Sequence, residues 1–144
     1  MSSHANALAP AYVVVDTNIV LDLFVFSDPA SAPLQRALDT KTLQWIATTA
    51  IRDELARVLA YPQIVPRMDY YKTTKDAVLQ RFDSYVQTVE VAPKASVTCK
   101  DADDQKFIDL AIAHRALLLS KDKAVLCMAR RLQLQGARIS TIVG

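Results

Sequence analysis

Val13-Val14-Val15-Asp16-Thr17-Asn18-Ile19-Val20-Leu21-Asp22 decides the fold. A β-branched run stops at an aspartate, two small polar residues follow, and a new apolar pattern begins. Such a run reads as a buried parallel strand that delivers a carboxylate to the carboxyl edge of a sheet, where α/β proteins bind ligands. Further acids fall at comparable places: Glu54, Asp101, Asp103, Asp104 and Asp122 each stand beside a helix start or just after an apolar run. Carboxylates gathered in one crevice repel one another unless protons or a cation intervene. The leading expectation is a divalent metal and metal-assisted phosphoryl chemistry.

The chain has 144 residues, 51% of them apolar, the size of one domain with a single core and no need of disulfides. A net charge of +2, from 17 basic and 15 acidic residues, argues neither for nor against nucleic acid. Its distribution says more. Arg36 and Lys41 are the only Lys or Arg in residues 1–50, whereas basic residues are frequent from Lys94 onward. An acidic crevice with basic flanks suits a polyanionic substrate. Cys99 and Cys127 lack a CxxC spacing and His4 and His114 stand alone, which argues against a structural zinc. The start shows no basic segment leading into a long apolar run, and Ile19 to Phe26 is broken by Asp22 and too short for a bilayer. A soluble, cytoplasmic protein without membrane contact is expected.

Residues 1–10 read as a flexible tail and 11–144 as one domain. Tyr12–Val15 is the first strand, and Thr17 to about Phe26 a helix that Thr17 would cap and Asp28-Pro29 would stop. A helix follows over Ala32–Asp39, a strand over Leu43–Ala47, and a helix over Ala50–Ala60 capped by Thr48 or Thr49 and closed by Pro62. Gln63–Tyr71 fits a short helix or a loop. Val78, Leu79, Phe82, Tyr85 and Val86 have helical spacing within Lys75–Thr88, with Val89–Val91 as a strand beyond. Then come a polar loop, a helix over Asp103–Ala116, a strand at Leu117–Leu119, a helix over Val125–Leu132 and a strand at Arg138–Ile142. Two glycines are too few for a phosphate-cradling loop. The alternation predicts an α/β domain with a central, mostly parallel sheet sandwiched by helices.

Each acid has a bland reading beside a sharp one. Asp16 could cap the next helix; Asp122 could cap a turn. At about 100° per residue, Ile51, Leu55, Val58 and Leu59 form one apolar stripe, with Glu54 at its edge and Arg52, Asp53 and Arg57 pointing away. A carboxylate there needs a partner, either an Arg or Lys or a metal. In Asp101-Ala102-Asp103-Asp104-Gln105-Lys106-Phe107, acids crowd a helix start, as the helix dipole favours. Asp104 shares a face with Phe107 and Ala111 and should point inward; Asp101 suits a cap, Asp103 lies between the two roles, and Asp109 should face solvent.

These residues resemble the PIN-domain family of metal-dependent ribonucleases, especially its prokaryotic (VapC-like) toxin branch of toxin–antitoxin systems. Val14-Val15-Asp16-Thr17-Asn18 looks like the opening motif, and Arg52-Asp53-Glu54-Leu55 like the mid-chain element. Asp101 to Ala111 is similar to the third element, and Leu118-Leu119-Ser120-Lys121-Asp122 to the fourth. The resemblance implies Asp16, Glu54, Asp104 and Asp122 as catalytic, metal-binding acids, with Asp103 or Asp101 assisting. Asn18 and Ser120 would orient carboxylates by hydrogen bonds. Lys123-Ala124 stand where relatives often carry a further acid, which weakens the case for a second metal.

Oxygen ligands suit Mg²⁺ or Mn²⁺. The expected reaction is hydrolysis of an RNA phosphodiester to 5′-phosphate and 3′-hydroxyl ends, with Lys106, Arg115, Lys121 and Lys123 as candidate phosphate contacts. By resemblance, a cognate antitoxin and a homodimer are also expected. A phosphotransferase using Asp16 as acceptor lacks the adjacent second acid it would need. The remaining alternative is a non-catalytic RNA- or protein-binding module, with Tyr61, Tyr70 and Tyr71 as a docking surface.

Overall fold

The computed structural model describes residues 10–143. Pro10 aside, the expected tail therefore lies outside the described residues. Five strands form one sheet: β1 (Ala11–Val15), β2 (Leu43–Ala47), β3 (Val86–Thr88), β4 (Leu117–Leu119) and β5 (Arg138–Ser140). Their order is β3-β2-β1-β4-β5 and every pairing is parallel. Val13, Val14 and Val15 are all at most 1% exposed. Successive strand residues face opposite sides, so β1 is covered on both faces, as a parallel sheet requires.

The connecting helices are α1 (Thr17–Phe24), α2 (Ala32–Asp39), α3 (Thr49–Val58), α4 (Val65–Tyr70) and α5 (Lys75–Tyr85), then α6 (Gln105–His114), α7 (Lys123–Leu126) and α8 (Ala129–Leu134). The chain steps one way from β1 to β3, then returns past β1 to β4 and β5. Right-handed crossovers put the helices of these two directions on opposite faces. On one face Trp45 of β2 meets Phe24 of α1 at 5.7 Å and Phe82 of α5 at 5.1 Å between ring centroids. On the other, α6 lies against β1 and β4 and buries Phe107, Ile108, Leu110 and Ala111. No helix of the described residues is long and apolar enough to cross a membrane.

Four local expectations need correction. The third strand is Val86–Thr88, where a helix was expected, and not Val89–Val91. Gln44 donates a side-chain hydrogen bond to the Tyr85 carbonyl (3.1 Å), and β2 offers its free edge to Val86 onward. Ladder pairing of β-branched residues there outweighs helical spacing. The helix expected from Asp103 begins instead as a 3₁₀ turn, Ala102–Asp104, and ends at His114 because Arg115 adopts a left-handed conformation (φ 50°). The Val125–Leu132 helix is two short ones, broken at Cys127-Met128. The last strand stops at Ser140, whose hydroxyl accepts from the Ile142 N–H (3.3 Å) and turns the chain. Smaller shifts touch the ends: α3 runs Thr49–Val58, capped by the Thr48 hydroxyl on the Ile51 N–H.

Candidate active site

The sheet order reverses between β1 and β4, and a crevice opens at their carboxyl ends, where α/β folds place ligands. Pairing of Val15 with Leu119 runs on into a 2.9 Å bond from the Asp16 N–H to the Leu119 carbonyl. Asp16 and Ser120 are thereby neighbours. Asp16 stands at the N-cap position of α1, but its side chain does not cap. It accepts a 2.7 Å hydrogen bond from Ser120 Oγ, which is completely buried and itself accepts from the Asp122 N–H at 3.0 Å. One hydroxyl thus ties the acids after β1 and β4 together. Burial pushes the Asp16 carboxyl above its ordinary pKa; the Ser120 bond pulls it down, and Asp122 and Glu54 push it up again.

Asp104 enters from the start of α6 and is buried. Its Oδ2 has no hydrogen-bond partner among the described residues. Its pKa is pushed up to about 8, first by burial, then by hydrogen bonding with Asp122, then by the charges of Asp16, Asp122 and Asp101. Carboxylate oxygens of Asp101, Asp104 and Asp122 all lie within 4.8 Å of one another. Asp122 also caps α7 by accepting from the Ala124 N–H (2.8 Å), so the capping role is present while its carboxylate stands in the acidic trio. Asp101 joins this trio while accepting from the Asp103 N–H (2.9 Å); Asp103 stays exposed on the rim. Such a set of hard oxygens, with a buried unsatisfied oxygen on one of its carboxylates, fits a divalent cation.

Glu54 reaches the crevice from α3 but both its oxygens are engaged. Thr17 Oγ1 donates to Oε2 and Lys106 Nζ contacts Oε1, each at 2.6 Å. The lysine partner considered for Glu54 is therefore present, and Lys106 is committed to it. Thr17, expected as a helix cap, holds a site carboxylate instead. Asn18 lines the crevice, exposed, and hydrogen-bonds no carboxylate among the described residues. The cleft, about 390 Å³, is lined by these acids other than Asp101, together with Arg57, Val58 and Tyr61.

The other basic candidates are placed elsewhere. Lys121 pairs with Asp22 of α1 at 2.6 Å, away from the acidic cleft, and Lys123 is exposed on α7 outside the lining. Arg115 follows the end of α6 and precedes β4, at the opposite edge of the sheet, because α6 runs back against the strand direction. Arg57, read as pointing to solvent, is the cation that lines the cleft; its signal was its place three residues after Glu54. Asp109 does not face solvent freely either: it accepts from the Ala95 N–H (2.9 Å) and from Gln105 Nε2 (2.8 Å), pinning the loop before the acidic cluster.

A comparison with curated proteins returns no match. A family model described as PIN domain matches residues 12–124, from the first strand through the turn that carries Asp122. With an all-parallel sheet and acids gathered at its switch point, the chain belongs to the PIN-domain family, whose members are typically nucleases.

Proposed function

We propose that this protein is a divalent-metal-dependent endoribonuclease, a hydrolase that leaves 5′-phosphate and 3′-hydroxyl ends. The observation that carries the reading is the gathering of the Asp101, Asp104 and Asp122 carboxylates within 4.8 Å of one another at the switch point, where Asp104 also keeps a buried oxygen without a partner among the described residues. Asp16, Asp104 and Asp122 would hold one Mg²⁺ or Mn²⁺, with Asp101 beside them. When bound, the ion supplies a water of lowered pKa and neutralises charge on the phosphoryl oxygens. Ser120 keeps Asp16 and Asp122 in fixed relation, so little reorganisation is left for the reaction itself. Arg57 at the rim can contact a backbone phosphate and Tyr61 can stack on a base. Water oxygen joins phosphorus as the bond to the 3′ oxygen breaks, so the phosphate stays on the 5′ end.

The role of toxin in a toxin–antitoxin pair rests on the motif resemblance, as do the homodimer and the antitoxin. A cytoplasmic setting is supported by two free cysteines. The test is cleavage of end-labelled structured RNA with Mg²⁺, Mn²⁺ or EDTA, beside Asp16→Asn. Metal-dependent cutting that the substitution abolishes, with 5′-phosphate products, is expected. Binding without cutting at any metal concentration would favour the non-catalytic module, and cutting unaffected by EDTA and by Asp16→Asn would remove the metal-nuclease reading.

A further inference from the structure

We propose that the Lys106 ammonium fills a second cation position in this cleft, so that the site takes one divalent ion and leaves Glu54 to the lysine. The inference rests on the metal-dependent reading above and adds to it which acids the ion uses.

The two ends of the cleft differ in what they lack. At the end where Asp104 and Asp122 stand with Asp101 beside them, three carboxylates crowd together and one buried Asp104 oxygen has no partner among the described residues. At the Glu54 end nothing is missing. Oε1 has an ammonium at 2.6 Å and Oε2 a hydroxyl at 2.6 Å. Lys106 is itself held in place: its Nζ donates to the Asp103 carbonyl, and it stands 5.0 Å from the Phe107 ring centroid. The two side chains of the pair are only 29% and 19% exposed, so water screens their attraction weakly.

An ion at Glu54 would need an oxygen at roughly 2.1 Å in a near-octahedral shell. Reaching Oε1 at that distance means evicting the ammonium from two acceptors; reaching Oε2 means breaking the Thr17 bond. The Asp104 end demands neither. Two-ion sites place their cations about 4 Å apart to clamp a phosphate from both sides. Here a fixed ammonium supplies the second positive charge, bonded to Glu54 from the first turns of α6, the helix at whose start Asp104 stands. Lys106 is thus a positioning residue: it holds Glu54 and sets how many ions the acids accept.

The experiment is Mn²⁺ titration of the full chain, followed by calorimetry and by electron paramagnetic resonance of free Mn²⁺. The wild type is expected to bind one ion, and Lys106→Met two, the second lost again in the Lys106→Met/Glu54→Gln double variant. Lys106→Arg should stay at one. Glu54→Gln alone should weaken the single ion less than about tenfold, against more than about 100-fold for Asp104→Asn, since charge at a distance counts for less than a lost ligand. Two ions in the wild type, one unchanged ion in a folded Lys106→Met, or loss of the ion in Glu54→Gln would each overturn the inference. No ion at all in the wild type would sink the metal reading itself, a distinguishable failure. Should Lys106→Met not fold, the wild-type count and the Glu54→Gln affinity still decide.

Discussion

Replacing Ser120 by alanine probes how the site controls its own charge. The hydroxyl is completely buried, donates to Asp16 at 2.7 Å and accepts from the Asp122 N–H at 3.0 Å. A hydrogen bond to a charged group contributes about 1.5–3 kcal/mol and favours the ionised form. Burial already raises the Asp16 pKa, and the Ser120 bond is the largest effect opposing it. Without that donor the Asp16 proton competes harder with a metal ion, because only the ionised carboxylate is a ligand. Ser120→Ala should therefore weaken Mn²⁺ binding about 10–100-fold at the acid end of the range, and the gap should narrow as rising pH ionises Asp16 in both proteins. The assay is Mn²⁺ affinity of both proteins at several pH values between 6 and 9, with circular dichroism to confirm folding. A loss of equal size at every pH would show that Ser120 acts by geometry and not through the Asp16 charge. No loss at all would refute the relay.

Three further outcomes are expected. The Asp104 pKa of about 8 lies above its ordinary 3.8, so the folded metal-free protein holds a proton that the unfolded chain releases; stability falls as pH rises from about 4 through about 8. Thermal melts in EDTA should show that decline, Asp104→Asn should flatten it, and Mn²⁺ should reverse it at pH 8; a wild-type melting temperature that rises over this range would contradict the assignment. Arg57→Ala should raise the KM for RNA several-fold with little change in kcat, and reduce the salt slope of binding by about one, measured by steady-state cleavage at several salt concentrations. Phe107→Ala, which removes a ring 1% exposed beneath the acidic turn, should cost about 3–5 kcal/mol in urea unfolding; a loss under about 1 kcal/mol would mean that α6 is not seated on the sheet as described.

Local signals were legible where chemistry changes abruptly along the chain. Val13–Val15, Leu43–Ala47 and Leu117–Leu119 are short apolar or β-branched runs with polar ends, and each is a strand. Asp16, Asp104 and Asp122 could be placed because a strand end and the start of α6 fix their direction before any packing is known. Val86 was not legible as strand, since it continues the helical spacing of Phe82 and Tyr85; only the free edge of β2 decides it. The Lys106–Glu54 contact was equally hidden, because it joins α3 to α6 across the switch point and no periodicity relates them. Asp109 looked solvent-facing on a helical wheel, yet a wheel carries no information about the loop that passes over it.

The pairing of β1 with β4 has a consequence for synthesis on the ribosome. β1, β2 and β3 emerge early and can pair in order, but β1 then presents an open valine-rich edge until β4 arrives. Asp16 waits through that interval without Ser120 or Asp122. A nascent chain thus lacks an assembled acidic cluster for most of its translation, and the cluster is completed just after the strand that also closes its stickiest edge.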